Sequence, residues 1–259
     1  MMGPDPSSPI DRARASLFGA AAERYDQYRP ACPSALADDL ALLGAKSALD
    51  VGCGTGQVAR TLIDRGIAVL GVEIDERMAD VARRHGVDVE VGAFETWNPQ
   101  GRQFDLLTSA DAWGWIDPEA GMAKAAESLR LGGTIACFWT TRVLSEDVSA
   151  ALATVYAEHA PEVSRVWDPA VNVPRAHASR AAYFELNQAF GPVELRSYEL
   201  RHVYSAEDWI GLASTISDHI RLGEQRLEAL LRAVGTQITD VGGEVVAHEE
   251  TYALLAHRS

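Results

Sequence analysis

Residues 48–57 read Ala-Leu-Asp-Val-Gly-Cys-Gly-Thr-Gly-Gln: a short apolar strand runs into glycine at every second position, and helical periodicity begins at Gln57. Missing side chains let a ligand approach the backbone, and the first turn of the following helix offers unpaired N–H groups. The surrounding pattern alternates. Ser47–Val51, Ala68–Val72, Val87–Val91, Phe104–Ser109 and Thr134–Trp139 read as strands. Helices fall between them: Gln57–Asp64, a helix capped by Asp75 and ending at His85-Gly86, and a helix opened by Asp117-Pro118-Glu119 that runs to about Leu131. Such units predict a doubly wound parallel α/β sheet, in which the first strand–helix turn is the ligand crevice.

The ends of the chain are organised differently. Residues 1–15 read as a polar tail, Ser16–Tyr28 as a helix, and Ser34 caps a second helix stopped by Gly44. Beyond Trp139, residues 141–190 read as helix and loop without a clear strand. Val193–Tyr204 and Glu244–His257 then read as strands around helices starting at Ser205 and Gly223. The expected fold is α/β: a Rossmann-like sheet of seven strands with an N-terminal helical cap and a helical lid inserted after strand five. The expected organisation is one domain over 1–259: a cap at 1–45, a cofactor-binding core at 46–140, a lid and substrate segment at 141–190, and C-terminal strands and helices at 191–259.

Charge narrows the partners. There are 37 acidic residues against 23 Lys and Arg, a formal net charge of -14, and no basic run. Proteins that neutralise many phosphates carry a local surplus of Lys and Arg, so nucleic acid and anionic membranes are not expected partners. The three cysteines, Cys32, Cys53 and Cys137, are dispersed, and no C-x-x-C or His pair stands at metal-ligand spacing. With no apolar stretch of membrane-spanning length and no signal-peptide pattern, the expectation is a cytoplasmic, metal-free monomer or homodimer.

The glycine pattern excludes two phosphate-binding loops. Aligned on Gly52 and Gly54, the third small residue of G-x-G-x-x-G/A falls on the bulky Gln57, which argues against a nicotinamide oxidoreductase. No lysine follows the glycines, as a Walker A loop requires. What remains is Asp50-x-Gly52-x-Gly54-x-Gly56, with Glu73 at the end of the next strand. One carboxylate can accept from both hydroxyls of a ribose.

At this point the chain resembles the class I S-adenosylmethionine-dependent methyltransferases, in the small-molecule, type 11-like branch. The likeness runs in order through Phe18, Ala22, Tyr25, Tyr28-Arg29-Pro30 and Pro33, then Leu49–Gly56, Gly71–Glu73, Trp115-Ile116-Asp117 and Leu129-Arg130-Leu131-Gly132-Gly133. It covers about residues 18–140 and continues weakly to Tyr252–Arg258. Gly114 stands where the family often has His, and Leu131 where it often has Pro.

The resemblance implies S-adenosylmethionine as cofactor and methyl transfer to a small organic acceptor, at oxygen or carbon, of the kind found in secondary metabolism. It implies that Gly52, Gly54 and Gly56 pass the methionine and ribose portions, that Asp50 organises the loop, and that Glu73 holds the ribose. Ile74, Ala93 and Phe94 would meet the adenine, the Ala110 carbonyl the methionine amino group, and Tyr25 and Arg29 the cofactor from the cap. Tyr28, Trp113, Trp115, Trp139 and Arg142 are candidates for the substrate pocket. Candidate bases are His177, His202, His219 and Tyr28, none with a local signature. The alternative is a protein of this fold that binds the cofactor without methylating. The N/D-P-P-Y/F/W run of amino-methylating relatives is absent; that place reads Ser109-Ala110-Asp111-Ala112-Trp113. The lid region brings Arg142, Arg165, Arg175 and Arg180, which suit an anionic acceptor, whereas the tryptophans suit a flat neutral one; the neutral acceptor is the favoured expectation.

Overall fold

The computed structural model describes residues 17–163, 180, 181, 184 and 187–259. Seven strands form one sheet in the order β3-β2-β1-β4-β5-β7-β6: β1 Ser47–Val51, β2 Ala68–Glu73, β3 Asp88–Val91, β4 Phe104–Ala110, β5 Leu129–Leu144, β6 Glu194–Ser205 and β7 Glu244–His257. The first five run parallel, and β7 is antiparallel to both neighbours, β5 and β6. The chain winds outward from β1 to β3 and then returns to β4 beside β1. That reversal opens a crevice at the carboxyl ends of β1 and β4.

Helices are placed by their ends. Helix α1 is Ala22–Tyr28, α2 Ser34–Leu42, α3 Gln57–Ile63 and α4 Glu76–Arg84. Asp75 caps α4 by accepting from the Arg77 N–H at 2.9 Å, with Glu76 in the first turn and Arg83 and Arg84 in the last. Helix α5, Pro118–Ser128, begins with Pro at its first turn, and its cap Asp117 accepts from the Ala120 N–H. Helices α6 Glu146–His159, α7 Ala206–Ala213, α8 Ser217–Ile220 and α9 Glu224–Asp240 follow, and 3-10 turns lie at Phe18–Ala21, Phe94–Thr96 and Trp113–Trp115. None among the described residues is long and apolar enough to cross a membrane.

Alternation along the strands divides the sheet into two apolar faces. Leu49, Leu107, Ile135, Trp139 and Tyr252 pack with Trp113 and with Met122 of α5 on one side. Ala48, Leu106, Ala136 and Phe138 pack on the other side against Leu36 and Leu40 of α2 and Ala59 and Leu62 of α3. Helix α2 is thus a sheet-covering helix, although it falls in the stretch read as a cap. A third cluster joins α6, α7 and α9 to Tyr204, Val245 and Ala247 at the far end of β6 and β7.

Both ends of β5 differ from the sequence reading. Helix α5 stops at Ser128, and Leu129 already begins β5. Strand β5 also continues past Trp139 to Leu144, paired through Val143↔His248 and Leu144↔Ala247, so 141–144 belong to the sheet. The Thr140 and Thr251 hydroxyls, 2.7 Å apart across this pairing, satisfy polar side chains that had read as the end of a strand.

Asp50 lies within this core at 1% exposure, where the Thr108 hydroxyl of β4 donates to its Oδ1 at 2.8 Å. Burial pushes its carboxyl up to about 7, against the opposing pull of Thr108 and the Ala59 amide of α3. A carboxyl raised from 3.8 to about 7 on folding makes the native state bind the extra proton. Stability from this group is therefore greatest at low pH and falls as pH rises through that window. Relative to Asp50→Asn, the wild type should lose up to ~4 kcal/mol between pH 4 and 7 in urea titrations, at 1.36 kcal/mol per unit; a pH-independent difference would contradict this account. Leu106→Ala, emptying a fully buried position in β4, should cost about 2–5 kcal/mol in the same titrations.

Candidate active site

The crevice begins where β1 ends. Gly52 has φ 66°, and its N–H donates to the Val72 carbonyl at 2.8 Å, tying the turn to β2. A Cβ on Gly52 would lie 2.4 Å from the Ala112 Cβ, so only glycine lets the loops after β1 and β4 approach this closely. The loop then meets Glu73. The Gly54 N–H donates to Glu73 Oε2 and the Asp75 N–H to Oε1, each at 2.9 Å. Burial raises the Glu73 pKa, and these amides pull it back. Each oxygen has two lone pairs. With the Ile74 amide as a third donor, the carboxylate can still accept from a ligand.

Cys53 sits inside the same loop, 6% exposed. Burial first, and then the charges of Asp50 and Glu73, hold its thiol well above the usual range.

The cleft over these residues is lined by Ile74 and Met78, by Ala93 and Phe94 after β3, by Ala110, Asp111 and Ala112 after β4, and by Trp115 and Ile116. The cap closes one side with Phe18, Tyr25 and Arg29, and α8 contributes Ser217 and Asp218. Phe18 packs edge-on against both Tyr25 and Trp115, with centroids 5.9 and 6.4 Å apart. The Arg29 guanidinium lies 4.8 Å from the Tyr25 ring centroid and donates twice to Thr215, to its hydroxyl at 2.8 Å and its carbonyl at 3.0 Å. Burial lowers the Arg29 pKa and raises that of Tyr25.

Of the residues singled out in the sequence, Tyr25, Arg29, Gly52, Gly54, Glu73, Ile74, Ala93, Phe94, Ala110 and Trp115 meet at this cleft. Others serve elsewhere. Asp50 lies beneath the loop, bonded to Thr108. Gly56, at φ 85°, starts α3, and a Cβ there would press on Val87 and Ala82 at 3.1 and 3.2 Å. Trp113 is buried behind Phe94, with ring centroids 6.1 Å apart. Trp139 is stacked on Tyr252 at 5.5 Å in the core, with the Arg180 guanidinium 4.5 Å from its centroid. The Tyr28 ring fills the space above Gly211, where a Cβ would come within 2.3 Å of it.

Arg142 pairs with Glu249 through Nε–Oε1 at 2.6 Å, and the Tyr204 hydroxyl donates to the same oxygen. Both charged side chains are under 10% exposed. His202 stacks on Tyr204 at 4.0 Å, with its Nδ1 3.9 Å from Glu249. His219 is fully buried, its Nδ1 2.7 Å from the Ala213 carbonyl, and burial lowers its pKa. Neither histidine lines the cleft. His177, Arg165 and Arg175 lie outside the described residues. Among the described residues no cluster of His, Cys, Asp and Glu is arranged to hold a metal ion.

Sequence reasoning missed Asp111, Met78, Glu95, Ser217 and Asp218 as cleft residues. Ser217 and Asp218 arrive from far along the chain with no local motif. Asp111 carried one latent signal: Asp tolerates the left-handed backbone, φ 51°, that the turn after β4 adopts.

Comparison with known proteins agrees with this geometry. Residues 48–133 match the family model described as a methyltransferase domain. An uncharacterized methyltransferase of Mycobacterium tuberculosis is 33% identical over 127 residues, covering 48% of this chain and 52% of the relative. A ubiquinone biosynthesis O-methyltransferase of Idiomarina loihiensis is 35% identical over 126 residues, 45% of this chain and 50% of the relative. The chain thus spans about half the length of these curated relatives. A solved chain from Anaeromyxobacter dehalogenans with a provisional type II methyltransferase name superposes with TM-score 0.62 at 24% identity, covering 89% of this chain and 98% of that one. The segment that carries the glycine loop, Glu73 and the turn after β4 therefore lies within the match to the methyltransferase domain model, and the sheet around it shares the fold of that solved chain.

Proposed function

We propose that the protein transfers a methyl group from S-adenosylmethionine to a small organic acceptor, at oxygen or carbon. The observation that carries this reading is the pairing of Glu73 with the glycine turn. A buried carboxylate at the end of β2, held by loop amides and facing the cleft, suits the ribose hydroxyls, and the bare Gly52–Gly54 backbone leaves room for the rest of the ligand. Ile74, Ala93 and Phe94 supply apolar walls for an adenine, and Arg29 and Tyr25 close over the other end. When bound, the cofactor supplies an already activated methyl group. The protein's share is to orient an acceptor and exclude water.

The acceptor in this proposal is small and uncharged or cationic, consistent with a role in secondary metabolism, and the protein works in the cytoplasm without nucleic acid or membrane partners. The similarity to proteins named ubiquinone biosynthesis O-methyltransferases supports a hydroxyl acceptor. Arg142 and Arg180, two of the four arginines that favoured an anionic acceptor, are occupied by Glu249 and by the Trp139 and Tyr252 rings.

S-adenosylhomocysteine should bind with a micromolar Kd, about -8 kcal/mol, and NAD should not bind. Glu73→Ala should weaken that binding by about 1.5–3 kcal/mol, roughly 10- to 150-fold, by removing a charged hydrogen-bond acceptor. Calorimetry on a variant shown to be folded by its thermal transition decides this. An unchanged Kd would remove Glu73 from the proposed site.

A further inference from the structure

Hydrogen-bonding capacity left over in a buried site indicates what kind of ligand group completes it. Most charged groups around this cleft are already engaged. Arg29 donates to Thr215 and lies against Tyr25, and Glu95 accepts from the Asp117 N–H at 3.0 Å. Behind the cleft Arg142 is paired with Glu249. Asp111 differs. Its Oδ1 is buried, yet it accepts no hydrogen bond among the described residues. The side chain is held there by its backbone: φ is 51°, and the N–H donates to the Phe138 carbonyl at 2.9 Å. Strained non-glycine positions of this kind concentrate at ligand sites.

Its place in the sheet says which part of a ligand it would meet. Glu73 ends β2 and Asp111 follows β4, with β1 between them. Two strand spacings separate the two carboxylates laterally, about 10 Å. A ligand anchored at Glu73 by its ribose would turn its opposite, reactive end toward Asp111. Tyr25, Arg29 and Arg142 are close enough for Asp111 to act electrostatically on each of them.

We propose that Asp111 is the acceptor-binding residue, and that the acceptor presents to its Oδ1 a hydrogen-bond donor, a hydroxyl or a protonated amine, rather than a carboxylate or phosphate. Both neighbouring arginines have partners of their own, so the unspent capacity at this end of the cleft is that of an anion, and it repels a second one. This inference rests on the cofactor reading above.

The test needs no knowledge of the natural acceptor. Sinefungin carries an amine-bearing carbon in place of the sulfonium, directed to where an acceptor approaches; S-adenosylhomocysteine has a neutral thioether there and is otherwise similar. Kd values for both are measured by calorimetry on the wild type, on Asp111→Asn, and on Asp111→Gly. Asn keeps the shape and tolerates the left-handed backbone, and Gly serves if the Asn variant fails to fold. The expected result is at least a 10-fold loss of sinefungin affinity with less than a twofold change for S-adenosylhomocysteine. Equal losses for both ligands would place Asp111 at the methionine end or in a purely structural role, and no loss for either would detach it from the ligand. Either result overturns the proposal. A wild-type protein that binds neither compound would instead fail at the cofactor reading and take this inference down with it.

Discussion

Burying the Glu73 carboxylate is unfavourable unless its oxygens find donors, and the donors it finds are the amides of Gly54 and Asp75. Those two amides belong to the glycine loop and to the cap of α4. One side chain therefore links the end of β2, the turn after β1 and the start of a helix. The left-handed Gly52, bonded back to Val72, completes the link. The cleft is the space these constraints leave.

The rest of the molecule supports that cleft from two directions. The parallel half of the sheet, packed on both faces, fixes the strand ends from which the loops emerge. The long antiparallel arm of β5, β7 and β6 carries a separate apolar cluster with α6, α7 and α9, and from it α7 packs beneath the cap through Gly211 and Tyr28. Near the junction of the two parts lies the buried Arg142–Glu249 pair with Tyr204. A buried ion pair contributes little net stability compared with apolar packing, but it penalises any arrangement that separates its members. It thus disfavours slippage of β5 against β7.

Much of this was legible in the sequence because its causes are local. Glycine spacing, the Asp75 and Asp117 caps and apolar runs of strand length act within a few residues, and the seven strands follow from them. What escaped depends on contacts distant in sequence. The extension of β5 through Thr140 and Arg142 is stabilised by partners at Thr251 and Glu249, more than a hundred residues away. The tryptophans were ambiguous for a related reason: an aromatic after a strand serves a core or a pocket equally well, and the strand pairing decides. It sent Trp139 to Tyr252 and left Trp115 at the cleft. Gly56 shows that a glycine in such a loop also serves close packing, here against Val87 and Ala82.

Cys53 gives the arrangement a chemical consequence. An activated methyl donor is an electrophile, and the sulfur of a cysteine is among the best nucleophiles a protein can place near one. Here the sulfur belongs to the very loop over which such a donor would lie. Thiols react as thiolates, and a low-dielectric pocket flanked by the Asp50 and Glu73 carboxylates keeps this one protonated. Burial first, and then the acids that build the loop, thereby silence this nucleophile, whose sulfur is turned against Gly71 of β2.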